Sequence, residues 1–186
     1  MSNATNTSLQ SHCRERAFYA FGTTKIFERR LQRLDRLRNM ITYLGILVPL
    51  LVGGMALSFD TKWLAFVVVP AGILSCFQLA LSAWSLVAKW DDKHAYSLSS
   101  VKAQTRLFNS WDGLAKRPPS DLDARVRELD TEDQRQEQSD LTQNIQPEEK
   151  RYAMRAALYH FGSACVRCKQ VPSSMKSSNC DTCGNF

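Results

Sequence analysis

Charge is what the middle of this chain lacks. Between Met40 and Ala88 only Asp60 and Lys62 carry one, and they divide an apolar block into Met40–Phe59 and Trp63–Ala88. A soluble helix keeps a polar face, so runs this long argue against a plain soluble enzyme. Glycine and cysteine are limited too. With 8 Gly, 6 Cys and 44% hydrophobic residues, collagen-like, disulfide-scaffold and wholly disordered classes are excluded. No nucleophile–base pair, phosphate-binding loop or carboxylate dyad stands out, so no enzyme is expected. The length of 186 residues suits one ordinary domain, or two small units joined by a linker.

The net charge of +6 is unevenly spread. Residues 1–39 carry 8 basic and 3 acidic side chains, 118–149 carry 3 and 10, and 150–186 carry 6 and 1. Basic residues beside an apolar run are first a topology signal, and nucleic-acid binding is not expected.

As helices, the two runs would each extend about 30 Å or more, the thickness of a bilayer's hydrocarbon core. Only Asp60, Thr61 and Lys62 join them, which permits one arrangement, an antiparallel hairpin with spans 40–59 and 63–88. Trp63 and Trp90 would then lie at headgroup depth. Arg29, Arg30, Arg33, Arg36 and Arg38 precede the first span and Lys89 and Lys93 follow the second, while the connection holds one lysine. The positive-inside bias therefore puts both termini in the cytoplasm of a multi-pass protein. Ala56-Leu57-Ser58 resembles a signal-peptide cleavage site, but the 39-residue leader is too long for that layout.

Residues 1–23, Ser/Thr/Asn-rich at first, are expected to be flexible. From 24 to 39 a basic amphipathic helix is expected. Phe27, Leu31, Leu34, Leu37, Ile41 and Leu44 recur at three- and four-residue steps, and the five arginines would meet anionic lipid or a specific partner. After the second span the helix is expected to continue over 89–117, with Trp90, His94, Leu98, Val101, Phe108 and Trp111 on one stripe, stopping before Pro118-Pro119. The 24–117 stretch thus forms the two-span region, and 118–161 an acidic linker with helices. Ser120 and Asp123 can cap a helix bearing Leu122, Val126 and Leu129. Residues 130–146 form either a solvated helix or a flexible linker. Pro147 suits a first helical position and Gly162 a stop.

The last segment, 162–186, holds Cys165-Val-Arg-Cys168, eleven further residues, and Cys180-Asp-Thr-Cys183-Gly184. Two such pairs can grip one ion tetrahedrally, and four soft thiolates favour zinc in a structural role. Around Zn²⁺ they carry a net charge of about −2, which Arg167, Lys169 and Lys176 are placed to offset. Gly184 suits a cramped knuckle backbone. Disulfides are not expected in a cytoplasmic tail. His160 is either a substitute ligand or an ordinary helix C-terminal histidine. The fold class is therefore mostly α: a two-span transmembrane helical hairpin, flanking cytoplasmic helices and a small C-terminal zinc ribbon or knuckle with four cysteine ligands.

Within the second span Ser75, Gln78, Ser82 and Ser85 share a face, and the first span has its own stripe of small residues at Thr42, Gly45, Pro49, Gly53 and Ala56. The polar face either packs the hairpin or lines water in an oligomer. Two helices cannot enclose an aqueous path, so a pore would need several copies.

The basic helix, the short-looped hairpin and the segment WSLVAKWDDKHAYSLSS (Trp84–Ser100) resemble the SLATT superfamily, bacterial two-transmembrane effectors associated with SMODS nucleotidyltransferases and SLOG domains. The tail is similar to the subset named for a CxxC-x11-CxxC pattern and found on mobile elements. This resemblance, over about residues 24–186, implies an inner-membrane effector of an antiphage or conflict system. It would oligomerise and permeabilise the membrane on a signal from a partner encoded nearby, such as a nucleotidyltransferase, SLOG protein or reverse transcriptase. The alternatives are a non-pore membrane scaffold whose zinc ribbon recruits a protein, and a thiol oxidoreductase.

Overall fold

A four-three spacing of small and apolar residues begins at Cys13 and runs on through Ala17, Ala20, Thr24 and Phe27, and each of them is buried. Such spacing turns one face of a helix inward. In the computed structural model it belongs to α1, which is continuous over Ser2–Ser58. The structure describes residues 2–58 and 61–186, without the side chains of residues 2–5, 52, 55–58 and 61–67. Among the described residues there are four further helices and no strand: α2 (Thr61–Val87), α3 (Trp90–Lys116), α4 (Leu122–Leu141) and α5 (Pro147–Phe161). The segment 1–23, expected to be flexible, is thus helical from Ser2. Its polar opening residues precede an inward face that Leu9 already joins.

The chain divides into two compact units, Met1–Arg29 with Ser97–Phe186, and Arg30–Tyr96. The boundaries expected near 23 and 117 are replaced by these, because α1 and α3 each contribute to both units.

In the first unit Cys13, Ala17 and Ala20 of α1 pack with Leu107, Trp111 and Ala115 of α3 and Leu122 and Val126 of α4. The inward face of α4 continues as Leu129, Asp133, Gln136 and Asp140, and that of α3 runs back as Gln104, Ser100 and Ser97. Antiparallel packing makes the polar ends meet. Ser100 Oγ and Gln104 Nε2 donate to the buried Asp140 carboxylate at 2.9 and 2.7 Å, and Gln136 Nε2 adds a third bond at 3.0 Å. Trp111 Nε1 donates to Asp133 at 3.1 Å, and Arg16 lies within 4 Å of Asp130, Asp133 and Glu137. The stretch after Asp130 is therefore a packed helix to Leu141, and not a linker. Of the expected α3 stripe Trp111 is fully buried, Trp90, His94, Val101 and Phe108 are half-buried and Leu98 is exposed; the most buried line runs beside it through Ser97, Ser100, Gln104 and Leu107 to Trp111.

Helix ends follow local chemistry. Pro147 opens α5 behind a capping box of Gln146 and Glu149, and Gly162 closes it in the left-handed conformation at φ 61°. The N-cap of α4 is Asp121, without a side-chain cap bond, in place of the expected Ser120. The helix does not continue from α2 into α3: Lys89 takes φ 51°, and Asp91 and Asp92 begin a new first turn where carboxylates suit the dipole.

In the second unit α1 and α2 run antiparallel. Asp35 meets His94 at 2.9 Å, Arg38 meets Asp91 at 3.6 Å, and Gly45 lies against the Gln78 amide. Ser75, Gln78, Ser82 and Ser85 are half-buried, whereas Tyr43, Ile46, Leu50, Ile73, Phe77, Leu79, Trp84 and Leu86 point outward and are exposed. On α1 Val48 is buried and Ile41, Leu44, Gly45 and Leu47 are half-buried, whereas Thr42, Pro49 and Gly53 of the expected small-residue stripe are exposed; the polar face of α2 is half-buried, and large apolar groups of both helices stand exposed. Val68–Val87 is long and apolar enough to cross a membrane, and none of it is buried, unlike the core helix of a soluble protein. The first expected span runs into residues 55–59, and it, the link at Asp60 and the Trp63 indole lie wholly or partly outside the described residues.

Replacing Asp140 by Ala would strand two buried donors, Ser100 and Gln104, and remove a third bond from the half-buried Gln136, and a loss of about 2–4 kcal/mol is expected in denaturant titrations followed by circular dichroism. Burial raises the Asp133 carboxyl above its ordinary value of 3.8, against the pull of Arg16 and Trp111. Its contribution to stability is therefore lost as pH rises through the raised value. D133N should gain melting temperature relative to the parent between pH 4 and pH 7.5; an unchanged difference would remove Asp133 from the pH response.

Candidate metal centre

The αL turn at Gly162 sends the chain back along α5, where Ser163 N–H donates to the Leu158 carbonyl at 3.0 Å. That reversal brings Cys165 beside Leu158. The first knuckle closes when Lys169, in the left-handed region at φ 59°, donates its N–H to the Cys165 carbonyl at 2.9 Å. In the second, Gly184 N–H donates to the Cys180 carbonyl at 2.8 Å, and Asn185 takes the left-handed conformation at φ 47°. Gly184 is needed for space: a Cβ there would overlap the carbonyl and hydroxyl oxygens of Ser178.

These turns converge Cys165, Cys168, Cys180 and Cys183, whose Sγ atoms all lie within 4.8 Å of one another. The pairs Cys165–Cys180 and Cys168–Cys183 stand 4.0 and 3.8 Å apart. Four sulfurs on a tetrahedron with metal–sulfur bonds of about 2.3 Å would be about 3.8 Å apart, so the set fits a single ion. All four are free thiols at spacings well beyond a disulfide bond. Cys165 and Cys183 are buried against Leu158 and covered by Phe18 of α1 and Met154 of α5, while Cys168 and Cys180 are half-buried. The cluster is therefore part of the first unit's core.

Ionisation is shared unequally. Backbone N–H groups of Thr182 and Cys183 lower the Cys180 thiol to about 6. Burial raises Cys165, but N–H groups of Cys168 and Arg167 and neighbouring thiols outweigh it, so it is lowered. Burial and the other three thiols push Cys183 up. One end of the cluster is thus disposed to hold thiolate, the form that ligates metal.

The expected counter-charges are arranged differently. Arg167 pairs with Asp181 at 2.8 Å and ties one knuckle to the other, and Lys169 and Lys176 lie towards the surface. Composition gave no sign of Arg155, which projects from α5 and bonds the second knuckle and the loop before it at three points, to Ser174 O (2.8 Å), Ser178 Oγ (3.2 Å) and Cys183 O (3.2 Å). The available signal was its place among Ala153, Ala156 and Ala157, small residues that mark a closely packed face. His160 stacks on Phe21 at 4.1 Å and stands outside the thiol cluster. Cys13 is buried in the other core cluster, where desolvation raises its thiol, and Cys76 is exposed on α2.

The remaining sequence-derived residues fall elsewhere. Arg29 lies 4.4 Å over the Tyr152 ring and 5.8 Å from that of Phe186, so its guanidinium engages aromatic groups of the first unit. Arg38 pairs with Asp91, and Arg33 and Arg36 are exposed.

G184A should weaken metal retention and lower the melting temperature, whereas G113A, with open space around its Cβ, should raise stability by up to about 1 kcal/mol through helix propensity. Elemental analysis should find one metal ion per chain, and chelation should lower the melting temperature of the parent while leaving a C165S/C183S variant unaffected.

Neither a curated protein nor a solved structure matches the chain. The paired knuckles with eleven residues between them, together with the rest of residues 10–186, match the family described as "Mobilome CxxCx(11)CxxC protein", and the chain belongs to that family.

Proposed function

We propose that the chain is a multi-pass inner-membrane effector of a bacterial antiphage or conflict system. The α1–α2 hairpin crosses the bilayer twice with both termini in the cytoplasm, and copies assemble to permeabilise the membrane on a partner-derived signal. The observation that carries the membrane part is the exposure of large apolar side chains along both helices, with none of Val68–Val87 buried. The mobile-element family and the likeness to the SLATT superfamily support the conflict role and a signalling partner encoded nearby, such as a nucleotidyltransferase, SLOG protein or reverse transcriptase. In this reading the ion is zinc, since four soft thiolates in a closed shell suit it and leave no open position for catalysis. When bound, it supplies four bonds that close the two knuckles. Cys165 and Cys183 then carry that closure into the packing of α5 and α1. No enzymatic activity is proposed.

A second reading, a non-pore scaffold, draws on one contact. Pro49 has no N–H to offer the Gly45 carbonyl, and the Gln78 amide lies against Gly45. Polar glue of this kind would hold a simple anchor together. In the effector reading the same face is sheltered at rest and turns to water on assembly.

Membrane-potential dyes in cells expressing the chain with its neighbouring signalling gene separate the readings. Depolarisation is expected with the parent, and Q78L/S82L should stay in the membrane fraction without depolarising. A variant that still depolarises would remove the polar face from the account, and an intact membrane with tight partner capture would favour the scaffold. Release of the whole chain by alkaline carbonate would overturn both.

A further inference from the structure

Outside the four thiols, the feature of the first unit that ordinary packing does not explain is a buried positive charge. Arg155 is 8% exposed. Its guanidinium meets two backbone carbonyls and a hydroxyl, and among the described residues it forms no ion pair with a carboxylate. The acids before it on α5, Glu149 and Glu148, are engaged by the Gln146 N–H at 2.9 Å and by Arg151 at 3.3 Å, and Asp181 at the second knuckle by Arg167 at 2.8 Å. Arginine stays ionised in proteins, and a buried ion needs an opposite charge that carbonyl dipoles replace only in part. One anion is within reach of this arrangement. A divalent ion held by four thiolates carries a net charge of about −2, and Arg155 Nη1 already bonds the carbonyl of one of those cysteines, Cys183, at 3.2 Å.

We propose that Arg155 is the counter-charge and positioning residue of the metal centre, raising the affinity of Cys165, Cys168, Cys180 and Cys183 for a divalent ion. This rests on the reading that the four thiols bind metal. The charge comes from α5 and not from the knuckles, so the loaded centre neutralises a cation that the helix would otherwise bury alone. The same side chain tethers Ser174 and Ser178, which places the loop between the knuckles. Its charge, more than its hydrogen bonds, sets the affinity.

Three variants of the full chain in detergent micelles divide these contributions. R155K keeps the charge, R155Q keeps an N–H donor without charge, and R155M keeps neither. Affinity is read by competing Zn²⁺ and Co²⁺ against a chromophoric chelator, and ligation by the thiolate-to-cobalt absorption bands. R155K should bind within about threefold of the parent, and R155Q and R155M about 10–100-fold more weakly, the range for groups that orient metal ligands. The cobalt bands of every loaded variant should match those of the parent, because the same four sulfurs ligate. Parent-like affinity in R155Q, or R155K as weak as R155M, would overturn the proposal. Should R155M lose its helical circular dichroism, the R155K and R155Q pair decides the matter alone. A parent chain that takes up neither ion would overturn the metal reading itself, an outcome distinct from tight, Arg155-independent binding.

Discussion

One helix has to satisfy two different surroundings. From Ser2 to Ser58 α1 is unbroken, yet its inward residues change character along the way. Before Arg29 it presents Cys13, Ala17, Ala20 and Phe27 to a conventional core, and after Arg30 it turns Tyr43, Ile46 and Leu50 outward while Gly45 and Val48 face in. No glycine or proline interrupts the changeover, and the helix assignment is continuous through it. What the rest of the chain can do is set by that continuity. Gly45 and Pro49 lie on the same continuous helix as Cys13 and Ala17.

Much of this architecture was legible. Pro147 and Gly162 at helix ends and the paired CxxC turns each rest on strong local preferences, and each is found where those preferences put it; of the two apolar runs, Val68–Val87 stands out as long and apolar enough to cross a membrane. Asp133, Gln136 and Asp140 continue the four-three spacing set by Leu122, Val126 and Leu129, but their polarity leaves a solvated helix, a flexible linker and a packed face indistinguishable in the sequence. A buried carboxylate is tolerable only with partners, and those partners, Ser100, Gln104 and Trp111, lie 22 to 40 residues away. Local patterns cannot reveal such pairings. The amino-terminal helix is hidden for the same reason, since Asn6, Thr7 and Ser11 on its exposed side mask the regular inner face that Leu9 joins.

The thiol cluster shows how a small module becomes part of a larger core. Cys165 and Cys183 are packed by Phe18, Met154 and Leu158 from two helices, and Arg155 reaches across to the second knuckle. A ribbon built only to recruit would keep its apolar side for the partner. Here that side is spent internally, which leaves Val166 and Val171 as the exposed large apolar groups of the first knuckle and its following loop.

The carboxylate of Asp140 has one further consequence, for alignment. Helices joined by purely apolar seams can slide past one another by two turns and meet an almost equivalent surface. If α4 slid by one heptad along α3, a carboxylate would arrive where Val126 now packs, and Ser100 with Gln104 would face nothing that accepts their hydrogens. A pair slipped in that direction would be penalised at both ends, so the residues least suited to a hydrophobic interior disfavour that register.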